Sequence, residues 1–255
     1  MDIKQRLDEE VELRNKLGEV SEENLDPIIV AYKYNDSTIS LICALFAYGN
    51  VVQIVKFLNS LDFDLLRKSE SDIKKGLKNH YYRFQKSDDV IAIFIAIKRL
   101  QQKESLENIF KSGYDKNHDV LEGIAKIIQN VAEEYEYYSE GYKFLIGTAP
   151  KRDNQNKIKH IGNSCYKRYN MFLRWMVRDD NLDMGLWKNV SKKDLILPLD
   201  THTFKVSQKL GLLKRKTYDL KSAILITEEL KKFNNQDPIM YDFALYRIGQ
   251  EKITI

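Results

Sequence analysis

Two residues raise the first chemical question: Lys167 in SCYKRYNMFLRWMVRDD and Asp200 in LPLDTHTFKVSQKLGL. Asp200 follows Pro198, which does not sit comfortably inside a helix, and precedes a helix-like run over 202–212. An aspartate there accepts N–H bonds from the first helical turn and is held beside the positive helix end. So placed, a carboxylate can stabilise a positively charged sugar transition state or deprotonate a nearby amine. Lys167 falls in the first turns of a helix expected over 163–178, off the stripe of Cys165, Tyr169, Phe172, Leu173 and Met176. In general, an amine taken partly out of water gives up its proton more readily and becomes a nucleophile. A lysine and an aspartate are the minimal set for attack at a sugar C1′, departure of a base and a Schiff-base intermediate. The plain alternative is a helix cap and a solvated surface lysine, and residue types alone leave both open.

The elements that must position this pair are helical. Ile3, Leu7, Val11 and Leu17 form an apolar stripe over 3–17. Asp36, Ser37 and Thr38 offer caps to the almost wholly apolar STISLICALFAYG, and VVQIVKFLNSL follows at once. SDDVIAIFIAIKRL (87–100), HDVLEGIAKIIQNVAEEY (118–135), DLKSAILITEELKKF and DPIMYDFALYRIG continue the pattern. PIIVAYKY is ambiguous between helix and strand, convincing strands are absent, and there is no internal repeat. These spacings predict an all-α fold: a single unit over 1–255 with two helical lobes. Residues 31–146 form a central lobe, and residues 1–30 plus 147–255 a second lobe carrying Lys167 and Asp200. The long polar connection is GTAPKRDNQNKIKHIGNS, 147–164, with Lys151, Arg152, Lys157, Lys159 and His160. It is either a phosphate-contacting element or a floppy insertion.

Bulk composition narrows the class. The chain has 255 residues, enough for a substantial core, and only 11 Gly and 4 Pro, so most connections should be short. The charged, amphipathic N-terminus and the lack of a run of about 18 apolar residues predict a cytoplasmic protein with no membrane partner. Cys43 and Cys165 stand far apart, so neither a disulfide framework nor a cysteine-rich metal or iron–sulfur site is expected, and no His or Cys is spaced to ligate a metal with His202. Residues 1–140 hold 19 Lys/Arg against 25 Asp/Glu, while residues 141–255 hold 22 against 12. A basic half joined to an acidic half fits a polyanion partner or a merely solvated basic surface.

The stretch LPLDTHTFKVSQKLGL resembles the aspartate-bearing segment of the helix-hairpin-helix DNA glycosylase superfamily, which includes endonuclease III and 8-oxoguanine glycosylase. Asp200 falls on that aspartate, and Lys205 and Lys209 fall on basic positions of the helix after it. SCYKRYNMFLRWMVRDD, LGLLKRKT, DPIMYDFAL, AYGN and HYYRFQ extend the resemblance, toward a bacterial branch of uncharacterised relatives, from about residue 40 to 247. Lys167 precedes Asp200 by 33 residues (200 less 167). That long spacing is similar to the archaeal 8-oxoguanine glycosylase family, and it places the nucleophile at Lys167. Of the usual L-P-G-V-G hairpin only Gly162 of IGNS remains, so the hairpin is atypical. The C-terminal four-cysteine cluster of endonuclease III is missing.

The resemblance implies a base excision repair enzyme. It would release an oxidised purine, 8-oxoguanine the best guess, from double-stranded DNA. An associated abasic-site lyase activity would pass through a lysine Schiff base. It implies no cofactor and no metal, and a monomer associated with the nucleoid. A base-releasing enzyme must extrude its target nucleotide. Tyr48 is then the stacking candidate, and Asn50 fills the hole or bonds the orphaned base. In HYYRFQ, Tyr82 and Arg83 suit stacking or bidentate base contacts. The plain alternatives are that Tyr48-Gly49-Asn50 is a helix C-cap and HYYRFQ a core edge with Arg83 pairing a carboxylate. Trp175 is core or pocket; Tyr241 and Asp242 reach the pocket, or Asp242 is a surface residue or the partner of an arginine. The alternatives are a non-catalytic helical DNA-binding module of the same fold and a scaffold for a protein partner.

Overall fold

The structure is a computed structural model that describes residues 2–251. The helices are α1 (Ile3–Arg14), α2 (Ile28–Tyr32), α3 (Ser37–Leu45), α4 (Val51–Ser60), α5 (Glu70–Leu77), α6 (Ser87–Lys103), α7 (Leu106–Tyr114), α8 (Val120–Glu134), α9 (Glu140–Ile146), α10 (Lys167–Val177), α11 (Thr201–Lys209), α12 (Leu220–Lys231) and α13 (Asp242–Gln250). Among the described residues there is no strand, only isolated bridges, so the fold is all-α. No helix among them is long and apolar enough to cross a membrane.

Local chemistry sets the helix starts. Asp36 accepts from Thr38 N–H at 2.8 Å and Ile39 N–H at 3.0 Å, Asp119 from Leu121 N–H at 2.9 Å, and Asp219 from Ser222 N–H at 3.1 Å. Each satisfies an orphan donor of a first turn. The ambiguous PIIVAYKY is helical over Ile28–Tyr32. Helices α5, α7 and α9 have no counterpart in the periodicity reading. They are short, and their clearest signals are caps at Ser69, Ser105 and Ser139.

The chain divides into two compact units, Met1–Asn24 with Lys151–Ile255, and Leu25–Pro150. In the second of these, α6 is the central helix, with Val90 to Ile97 all buried, and α3, α5, α8 and α9 pack around it. Helices α7 and α8 approach closely because Gly113 faces the Glu122 backbone and Gly123 faces the Phe110 ring; a Cβ at either would collide. Asp89, buried at the start of α6, accepts from Lys86 N–H at 2.7 Å, Tyr137 Oη at 3.0 Å and Ser139 Oγ, which fastens the α9 entry.

In the other unit, α13 is the common seat. Helix α1 packs on it, and so does α11, where Gly249 leaves room for His202 Cβ and Val206 Cγ2, each 3.0 Å from an added Cβ. Helix α10 is buried from Tyr169 to Val177 and carries Arg174 inside. Within the 147–164 connection, residues 151–159 form a hairpin whose ends are joined by Lys159 N–H to Lys151 C=O at 2.9 Å.

Candidate active site

Asp200 is placed by the segment before it. Leu197 N–H donates to Thr227 Oγ1 at 3.0 Å, and Leu199 N–H to Leu197 C=O at 2.7 Å. Pro198 and Leu199 are buried, so the chain emerges extended at Asp200 and turns into α11. Asp200 Oδ1 accepts from the buried Thr203 N–H at 2.8 Å, a true N-cap. The carboxylate is half-buried at the positive end of the helix.

Lys167 is placed differently. The helix expected from 163 starts only at Lys167, because Tyr166 is left-handed, with φ 47° and ψ 36°. Cys165, expected on the helical stripe, lies in the turn before it and is nevertheless buried. The turn is closed by Asn170, whose Nδ2 donates to Cys165 C=O at 3.0 Å and whose N–H donates to Tyr166 C=O at 2.9 Å. Asn170 Oδ1 stays buried with no partner among the described residues. Lys167 itself is half-buried as the first helical residue.

The two segments are stitched together. Cys165 Sγ lies 3.3 Å from Leu199 O and 3.3 Å from Tyr218 Oη, and Tyr218 Oη donates to Leu199 O at 2.7 Å. The residue two before Lys167 is thereby joined to the residue one before Asp200. Burial pushes the Tyr218 phenol well above its usual range, with Cys165 and Asp200 adding to the rise. Burial likewise raises the Cys165 thiol. Both groups stay neutral donors at ordinary pH, as the stitching requires.

Asp242 completes the charged surroundings. Burial raises its carboxyl, Arg174 opposes that rise, Asp200 adds to it and Lys167 lowers it. Both candidate groups therefore act electrostatically on this one buried side chain. Its partner is Arg174, whose Nη1 donates to Asp242 Oδ2 at 2.5 Å and whose Nε donates to Asp183 Oδ1 at 3.1 Å. Arg178 extends the network to Asp183 at 2.6 Å, Asp180 at 2.7 Å and Asp237 at 3.0 Å. Of the three roles open to Asp242, pairing an arginine is the one the geometry takes, and it is not a surface residue because the fold buries it against Arg174. At 4 % exposure it presents no surface to a nucleic acid.

The remaining candidates divide by unit. Lys205 and Lys209 are exposed on α11, one turn apart on the same face. Trp175 is 0 % exposed; its ring is core and offers no face to a base, because the helix turns it inward with Phe172 and Met176. In the Leu25–Pro150 unit, Asn50 is exposed and caps α4, accepting from Val52 N–H at 3.0 Å. Tyr48 Oη pairs with Gln85 Oε1, and the buried Tyr82 donates its Oη to Tyr48 C=O at 2.6 Å. Tyr82 is thus a brace for Tyr48, with its ring stacked on Phe57 at 4.8 Å, and is not itself open to a base. Arg83, left-handed at φ 55°, sets its guanidinium 5.7 Å over the Tyr48 ring. Phe84 and Phe144 join Tyr48 in an exposed aromatic triangle with centroids 4.8–5.9 Å apart. Phe144 had no sequence signal, lying 60 residues beyond the HYYRFQ motif (144 less 84). No group of three or more His, Cys, Asp or Glu among the described residues could hold a metal ion.

Neither a comparison with curated proteins nor one with solved structures finds a match. A family model does match, over residues 26–251, and the chain belongs to that family, described as Protein of unknown function (DUF2400).

Proposed function

We propose that the protein is a DNA glycosylase with associated abasic-site lyase activity, acting on an oxidised purine in double-stranded DNA. Lys167 Nζ attacks C1′ of the damaged nucleotide, the N–C1′ bond forms and the glycosidic bond breaks. Asp200 stabilises the positive charge that develops on the sugar and assists transfer of the amine proton toward the departing base. The sugar ring opens to the Schiff base. Loss of a C2′ proton then expels the 3′ phosphate and nicks the strand.

One observation carries this reading: the Cys165–Leu199–Tyr218 contact ties the carriers of Lys167 and Asp200 together within one unit. A nucleophile and a carboxylate need such fixed relative positions, since orientation is a large part of the barrier. The choice of 8-oxoguanine rests on the resemblance to the archaeal glycosylases alone.

The test is borohydride trapping with a duplex containing 8-oxoguanine, run beside a panel of other lesions. A covalent adduct that forms with the intact chain and disappears in Lys167→Gln is the expected result. No adduct and no base release from any lesion would sink the proposal. Duplex binding without release would leave the non-catalytic DNA-binding module in its place.

A further inference from the structure

The chemistry proposed above leaves the strongly basic 147–164 connection unused, and the structure gives that connection a definite shape. Lys159 N–H donates to Lys151 C=O and Asp153 N–H to Lys157 C=O, both at 2.9 Å, with Arg152 bridging Ile158 between them. The tip is built by Asp153, which accepts from Gln155 N–H at 2.8 Å and Lys157 N–H at 2.9 Å, and by Asn156 at φ 63°. The base is pinned by Asn163, a buried residue. Its Oδ1 accepts from Lys151 N–H at 2.9 Å, and its Nδ2 donates to Lys159 C=O at 2.6 Å and Lys151 C=O at 3.3 Å.

Alternation along the two arms sets Lys151, Lys157 and Lys159 on one face together with Asp153, which stands opposite Lys157, and Arg152 and Ile158 on the other. All three lysines are exposed, and none makes an ion pair among the described residues. Asp153 is the only carboxylate in 147–164; its Oδ1 accepts from two backbone amides, Lys157 and Lys159 act on its charge, and the three lysines still leave the face with a net positive charge. Lys151 stands directly opposite Lys159, and like charges in that relation destabilise a hairpin. Asn163 holds the arms in register against that repulsion. A ligand with several closely spaced negative charges relieves it, whereas a single anion reaches one lysine or two.

We propose that the Lys151–Lys157–Lys159 face is a docking surface for the phosphate backbone of duplex DNA. The choice of DNA as the polyanion rests on the function proposed above. The surface itself would be sequence-independent, because phosphate contacts position a protein without reading bases.

The experiment is binding of the full chain to an undamaged labelled duplex, followed by fluorescence anisotropy between about 50 and about 200 mM salt. Replacing all three lysines (Lys151→Ala, Lys157→Ala, Lys159→Ala) should lower the log–log salt slope by about 2.7, roughly 0.9 for each phosphate that is no longer neutralised. At a fixed salt within that range affinity should fall by more than about tenfold, and by the same factor for two unrelated sequences. The matched control is Lys188→Ala, Lys231→Ala, Lys232→Ala. It removes the same formal charge from lysines already paired with Asp179, Glu228 and Glu229, and should leave the slope nearly unchanged. An unchanged slope in the hairpin variant, an equal fall in the control, or no duplex binding by the intact chain would overturn the proposal. Because the duplex carries no lesion, failure to release a base bears on the proposed enzyme and not on this surface.

Discussion

Helix α6 of one unit and helix α10 of the other are buried to a similar depth with opposite chemistry. In α6 the interior runs Val90, Ile91, Ala92, Ile93, Phe94, Ile95, Ala96 and Ile97, and its one buried charge, Asp89, sits at the first turn, where helix N–H groups receive it. In α10 the interior includes Asn170 and Arg174, and Arg178 follows at once. Four aspartates from three later stretches of chain converge on those two guanidiniums. Apolar contacts hold α6 and tolerate small shifts. Directional, fully desolvated bonds hold α10, and they fix its rotation. Helix α10 begins with Lys167, so the more demanding core lies under the residue proposed as the nucleophile.

Substitutions can break or sharpen this contrast. The largest effect is expected for Arg174→Leu, which leaves Asp183 and Asp242 buried without this partner; breaking such a network should cost roughly 3–5 kcal/mol in denaturant unfolding. A cost below about 1 kcal/mol would show that the network is not what holds α10. In the apolar unit the comparable injury is steric: Gly123→Ala drives a methyl into the Phe110 ring and should cost about 1–3 kcal/mol, with no change in the salt dependence of stability. The smallest effect separates structure from chemistry at Asp200. Asp200→Ala should give up about 1 kcal/mol of cap, whereas Asp200→Asn keeps a capping oxygen and should be nearly neutral in thermal melts. If Asn also restores base release, the carboxylate is only a cap.

Much of this was legible from residues because the relevant physics is local. Asp36 and Asp200 read as caps and are caps. The all-helical class followed from apolar spacing in the same way. The start of α10 was not legible, since a left-handed Tyr166 carries no compositional mark of the kind that glycine provides. Trp175 and Tyr82 read as possible base contacts, because an aromatic type says nothing of which way its helix or turn is rotated; both face inward. An arginine partner for Asp242 was among the readings, but neither Arg174 nor the convergence on Arg178 could be picked out, since Asp242 lies 68 residues from Arg174 and Asp237 lies 59 from Arg178 along the chain. The charge contrast also changes once space replaces sequence order. The acidic segment 1–24 belongs with the basic 151–255, so that unit holds 25 basic against 20 acidic residues, and the other holds 16 against 17. The useful contrast is then more local, in the Lys151–Lys159 hairpin.

Helix α1 belongs to the unit whose other members all follow residue 150. Tyr241 Oη reaches Asp8 at 2.8 Å across 233 positions of chain, and only Leu7 and Val11 of α1 are buried. During synthesis that helix leaves the ribosome before α13 and can take its seat there only after the Leu25–Pro150 segment has emerged as a unit. Between those two points the nascent chain carries α1 as an unseated segment. Its sparse apolar stripe and dense charge are what keep such a waiting segment from sticking elsewhere.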